Sequence, residues 1–138
     1  MKRVGGFFLV GCMLFAGTAL AANTLSLTGP GTAEPGEYVT VSVWGDTEVP
    51  IIGFQVNLRI DPAVVEYVSW SITGTRSDGA EFKNFAYNTE ARSFRGSLIM
   101  SGSGECPPSI PAGSGSLLTV NLRIRVDAPD GATQLLLV

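Results

Sequence analysis

Twelve carboxylates are the most plentiful charged groups in this 138-residue chain, against nine Lys and Arg. A glycoside hydrolase would need two of them flanking a bond, roughly 5–9.5 Å apart. Glu81 and Glu90 are one pair whose sequence separation would allow it. Turn chemistry accounts better for most of the acids: Asp46, Asp78, Asp127 and Asp130 each fall near a glycine. None belongs to the Asp-x-Asp-x-Asp-Gly run of a calcium loop. The chain has no histidine. That removes Ser-His-Asp and Cys-His nucleophiles, histidine-based zinc sites and the usual general base near neutral pH. Cys12 and Cys106 are too few for a four-cysteine metal site or a disulfide framework. Gly102-Ser103-Gly104 and Gly113-Ser114-Gly115 lack the lysine and the helix of a phosphate cradle. Nine scattered Lys and Arg make no nucleic-acid footprint. The expectation is a binding or scaffolding module with no catalytic residue, metal or cofactor.

Aromatic rings could bind carbohydrate, because a sugar face stacks on a flat ring. Trp44, Trp70, Tyr67, Phe85, Tyr87 and Phe94 are the candidates. Core placement is the better reading for most of the six, since large rings commonly fill a core. Trp44 and Tyr38 share the parity of Thr40 and Ser42, which predicts that both point outward.

The elements that must position these residues read as strands. Leu25 and Leu27 suit one face of a short first strand, which Gly29-Pro30-Gly31 breaks. From Tyr38 to Trp44, Val39, Val41 and Val43 face one way, and Gly45-Asp46 begins a connection. From Ile52 to Ile60, Phe54, Val56, Leu58 and Ile60 alternate with Gln55, Asn57 and Arg59, and Asp61-Pro62 ends the run. Further strands are expected over Val64–Ile72, Phe82–Asn88 and Ser93–Ser101, with a loop at Thr73–Glu81. Gly102–Ser116, with Pro107, Pro108 and Pro111, reads as a long loop. Leu118, Val120, Leu122, Ile124 and Val126 then mark a strand. Asp127–Gly131 is a turn before the closing run Leu135–Val138. Eight short strands with Gly and Pro turns and no helical periodicity predict a β-sandwich.

Residues 1–22 read as a secretory signal peptide. Lys2 and Arg3 are the positive start, Val4 to about Leu20 the apolar stretch, and Ala19-Leu20-Ala21-Ala22 the small-residue cleavage pattern. A membrane anchor fits less well, because Gly5, Gly6, Gly11 and Gly17 weaken a spanning helix. Leu9-Val10-Gly11-Cys12 has lipobox form, but lipidation at Cys12 would leave the greasy run Met13–Ala22 on the product. Cleavage before Asn23 takes the nine basic residues to seven and the net charge from −3 to −5. The expected product is an exported domain over residues 23–138 that spans no membrane, with Cys106 as its lone thiol.

Several landmarks occur together in order. These are Gly36-Glu37-Tyr38-Val39-Thr40-Val41, then Ile52-Gly53-Phe54-Gln55-Val56-Asn57-Leu58-Arg59-Ile60-Asp61-Pro62, Val64-Val65-Glu66, and Gly113-Ser114-Gly115-Ser116-Leu117-Leu118-Thr119-Val120. This ordered set resembles a cohesin domain across about Thr24 to Val138. The resemblance implies an all-β, nine-stranded jelly-roll sandwich and a non-catalytic receptor for the dockerin modules of polysaccharide-degrading enzymes. Calcium belongs to the dockerin, so none is expected here. Dockerin contact in such domains uses a flat sheet face that includes the outward residues of the Asp-Pro-terminated strand, here Gln55, Asn57 and Arg59. Gln55 stands where well-known type I members carry an acid. A solvated strand face would show the same three residues without any partner. Carbohydrate-binding modules share the sandwich, which keeps polysaccharide stacking on Trp44 and Tyr38 as the alternative, and a plain structural surface domain as another.

Overall fold

Strand pairing here follows from which apolar residues each strand must hide. The computed structural model describes residues 7–10, 22–101, 109–131 and 133–137. They form β1 (Phe7–Val10), β2 (Asn23–Thr28), β3 (Tyr38–Thr47), β4 (Gly53–Arg59), β5 (Val65–Ser71), β6 (Phe82–Asn88), β7 (Ser93–Ile99), β8 (Gly113–Ile124) and β9 (Thr133–Leu137), with no helix among them. One sheet runs β1-β9-β4-β7-β6 and the other β2-β3-β8-β5. The all-β expectation holds. Cys12 and Cys106 lie outside the described residues, as do residues 102–108 of the expected Gly102–Ser116 loop.

The inward faces of the two sheets meet in one core. Val41, Val43, Val120 and Leu122 of the four-stranded sheet join Val56, Leu58, Phe94, Leu98 and Leu135 of the other. The rings bridge the layers: Tyr67 stacks on Tyr87 and Phe94, and Trp70 packs against Phe85. Five of the six candidate rings therefore serve the core, as their sequence setting suggests. Burial also raises the Tyr67 phenol above its ordinary pKa.

Three boundaries differ from the sequence expectation. β3 continues through Gly45 and Asp46 to Thr47, and Gly113–Ser116 is strand rather than loop, because these segments pair with each other from Trp44 opposite Ser116 to Thr47 opposite Gly113. Leu117 bulges at this point and is fully buried beside Leu118. A Cβ on Gly45 would come within 2.4 Å of Leu117 Cδ1, so the glycine makes room for the bulged leucine and does not end the strand. At the other end β8 stops at Ile124. Val126, expected in the strand, is 71% exposed in the turn that follows. A second bulge lies between Tyr67 and Ser69 on β5, and Val68 is exposed there. It lets Tyr67 and Trp70, three residues apart, both point inward.

β1 lies within the expected leader and runs parallel to β9, with Phe7 opposite Thr133 and Val10 opposite Leu136. β9 in turn pairs with β4 only at Leu58 and Arg59. Leu58→Ala should cost about 2–5 kcal/mol, because a fully buried leucine leaves a cavity between the layers. The outward Arg59→Ala should change stability by less than about 0.5 kcal/mol. Chemical denaturation of the two variants checks the contrast.

Candidate functional site

Two outer sheet faces are available for contact, and their polar groups are used differently. On the four-stranded sheet the outward side chains bond to one another across strands. Thr40 Oγ1 donates to Asn121 Oδ1 at 2.8 Å, and Asn121 Nδ2 donates to Ser69 Oγ at 3.0 Å. Ser42 and Ser116 share a hydroxyl hydrogen bond, Ser114 Oγ donates to Asp46 Oδ1 at 2.8 Å, and Thr119 Oγ1 donates to the Ser71 carbonyl at 3.1 Å. The Arg123 guanidinium lies over the Tyr38 ring, 5.4 Å from its centre. Tyr38 and Trp44 are both exposed on this face, as predicted, at 66% and 38%. Six residue steps along β3 separate them, about 20 Å, with Thr40 and Ser42 at the outward positions between.

The outer face of β4, β7 and β6 is different. Strand register puts Gln55 opposite Ser97, which is opposite Asn84; Asn57 opposite Arg95; and Gly53 opposite Ile99, which is opposite Phe82. Gln55 and Arg59 are exposed and Asn57 is half-buried, so the three residues marked in the sequence do share one face. The Asn57 amide oxygen is itself buried and without a hydrogen-bond partner. The side chains of Gln55, Arg59, Arg95, Ser97 and Asn84 form no hydrogen bond or ion pair to the described residues; both ion pairs among those residues use Arg125. A shallow depression runs over Gln55, Asn57, Arg95, Gly96 and Ser97. At one end of the face stand the exposed apolar residues Ile52, Phe82 and Ile99. Between Ile52 and Ile99 lies Gly53, where an added Cβ would fall 2.2 Å from the Leu98 carbonyl oxygen. The glycine lets β4 approach β7 closely, and a shallow notch lined by Ile52, Gly53, Gln55, Ser97 and Ile99 lies over this pairing.

Sequence reasoning found the β4 residues and missed those of β6 and β7. Both strands carry a weak alternation, and nothing in sequence aligns Arg95 or Ser97 with β4. Arg76 was equally illegible. It sits in the expected loop, yet its guanidinium donates to the Gly45 carbonyl at 2.8 Å, to Thr47 Oγ1 at 2.9 Å and to the Pro111 carbonyl. One arginine thereby ties that loop to the end of β3 and to the segment leading into β8.

Asp46 and Glu66 lie on β3 and β5, and the other carboxylates of the described residues are spread over turns and rims. Glu37, Glu48, Asp61 and Asp78 accept from the backbone N–H groups of Glu34, Ala22, Ala63 and Gly74. Glu81 accepts from Ser101 Oγ. Glu66 and Asp127 pair with Arg125, whose hydrogen bond holds the Asp127 carboxyl below the usual carboxylate range. Among the described residues no three metal-ligating side chains come together. The most apolar cavity among the described residues, about 330 Å³, is lined by the apolar Leu25, Ile51, Phe54 and Leu137 together with Asn23, Thr24, Thr47 and the β4 residues Gly53, Gln55 and Asn57, and carries no carboxylate.

No protein-family model matches the sequence, and no curated protein is significantly similar to it. Solved structures do match. A type II cohesin domain from the cellulosome of Acetivibrio cellulolyticus superposes with a TM-score of 0.57 at 18% identity, over 76% of this chain and 70% of that one. The fold is that of a cohesin domain. A type I cohesin–dockerin complex from Clostridium thermocellum gives 0.54 at 14% identity, over 69% of this chain and 61% of that chain's length. A third cohesin from Acetivibrio cellulolyticus, solved with a dockerin in a type I interaction, gives 0.51 at 22% identity, over 70% and 66%. At these identities the likeness extends to the cohesin fold.

Gly53→Ala should destabilise the domain by about 1–3 kcal/mol, because the new methyl group meets backbone rather than a side chain that can move. Thermal melting checks this, and hydrogen exchange should place the loss at the β4–β7 pairing.

Proposed function

We propose that the chain is an exported, non-catalytic docking module that receives a dockerin-type partner on the outer face of β4, β7 and β6. One observation carries this reading. The side chains of Gln55, Arg59, Asn84, Arg95 and Ser97 on that face are unengaged beside an exposed apolar end, whereas the opposite face bonds most of its polar groups together. A partner can satisfy Gln55, Asn84, Ser97, Arg59 and Arg95 without breaking any bond the domain already makes. The opposite face offers mostly groups already satisfied, where a new hydrogen bond replaces an old one for little net gain. The cohesin fold supports the choice of partner, because cohesins of this fold have been solved in complex with dockerins. A rigid sheet face also keeps the ordering cost of association low.

The test is titration calorimetry against calcium-loaded type I and type II dockerin modules. Binding is expected to at least one type. Replacing Gln55 and Ser97 together by bulky lysines should weaken it at least tenfold with the melting temperature kept, as clashes at the centre of an interface do. A folded domain that binds neither type would refute the dockerin reading.

We also propose that residues 1–22 are removed on export, so that β1 is absent from the mature module. Mass spectrometry of the product secreted by a bacterial host should show a chain beginning at Asn23. Retention of Phe7–Val10 in the secreted chain would make β1 a permanent strand of the sheet.

A further inference from the structure

The charges on the docking face are arranged by sign. Arg59 and Arg95 are outward and exposed on β4 and β7, on neighbouring rows of the register. Arg92 is exposed in the turn before β7 and lines, with Arg59, a depression at the same end. These are three of the seven cations in residues 22–138. No outward position of β4, β7 or β6 holds a carboxylate. The acids closest to these arginines along the chain are Asp61, just past β4, and Glu90 in the turn; Asp61 Oδ1 already accepts from the Ala63 N–H. The opposite end carries Ile52, Phe82 and Ile99 around the Gly53 notch, with Glu81 beside them. The two ends are about 13–20 Å apart along the strands, by the rise of four to six residues. The rest of the domain is acidic, so this arrangement opposes the overall charge.

We infer that the face selects a partner segment with carboxylates at one end, set over Arg59, Arg92 and Arg95, and an apolar side chain at the other, set into the notch at Gly53. The inference rests on the docking reading above and adds the chemistry of the partner. Arginine forks pair with carboxylates in bidentate geometry, and like charge at those positions is rejected. A helix of roughly 9–13 residues spans the distance between the two ends.

Two pairs of probes test it. The first pair is one calcium-loaded dockerin in two versions, whose side chains facing the cohesin are Asp and Glu in one and Lys in the other. The second is an amphipathic helical peptide with leucines at one end and either glutamates or lysines at the other. The acidic version of each probe is expected to bind at least roughly tenfold tighter at low salt, with the preference shrinking at high salt. Arg59→Glu with Arg95→Glu should reverse the preference while the melting temperature holds. Preference for the acidic peptide with no dockerin bound would retain this inference and remove the dockerin reading. No acidic preference in either pair, or a preference that survives the double charge reversal, would overturn it.

Discussion

One strand has to serve two surfaces at once, and most of the molecule follows from that. β4 sends Val56 and Leu58 into the core and Gln55, Asn57 and Arg59 outward. The pleat fixes this alternation, and a slip of one residue would move every core side chain into water. The register with β7 is therefore pinned by burial. Leu98 and Phe94 face the core opposite Phe54 and Leu58, which forces Ser97 beside Gln55 and Arg95 beside Asn57. The outer face of β4 and β7 is thus aligned by residues that do not lie on it. Asp61 and Pro62 close the strand, and the Asp61 carbonyl accepts from the Val64 and Val65 N–H groups to turn the chain toward β5.

The two outer faces show what a sandwich can do with polar residues. A ladder such as Thr40–Asn121–Ser69 ties three strands of the sheet together and leaves little to offer a partner. Unengaged side chains stabilise the free domain little, since water satisfies them. They become discriminating when a partner covers them, because any group left unmatched is then buried without a bond. The four-stranded sheet uses its polar residues to hold itself together, and the five-stranded sheet leaves Gln55, Arg59, Asn84, Arg95 and Ser97 unengaged. The exposed Phe82 and Ile99 fit this division, for they add apolar area on the face that carries those five unengaged side chains.

How much was legible in the sequence depended on whether a residue answered to its own strand or to another. Strong alternation made β3, β4 and the apolar half of β8 readable, and with them the outward placement of Tyr38, Trp44, Gln55, Asn57 and Arg59. Gly45 misled because its reason is tertiary: it gives way to Leu117, bulged on a strand more than seventy residues later. The same bulge hid the start of β8, whose Gly-Ser-Gly-Ser composition imitates a loop. Arg95, Ser97 and Asn84 became visible as site residues only once register set them beside β4. Arg76 bonds to carbonyls and a hydroxyl, and no spacing rule in sequence records such partners.

An acidic chain can present an acid-free face because strands and turns sort their residues by different physics. Turns leave backbone N–H groups without a ladder partner, and short carboxylates satisfy them. Asp61, Asp78 and Glu37 do this here. Strand positions have no such need, and Asp in particular is depleted there. Apart from Asp46 on β3 and Glu66 on β5, the acids of the described residues therefore collect at the rims and ends of the sandwich, while Arg59, Arg95 and Arg123, with long stems that lie along a pleated surface, stand on the strands. The field that results is uneven rather than uniformly negative. Within a Debye length of about 8 Å at physiological salt, an approaching segment meets the sign of the local face and not that of the whole domain. Sorting of charge by turn and strand is enough to give the β4–β7 face an electrostatic identity of its own.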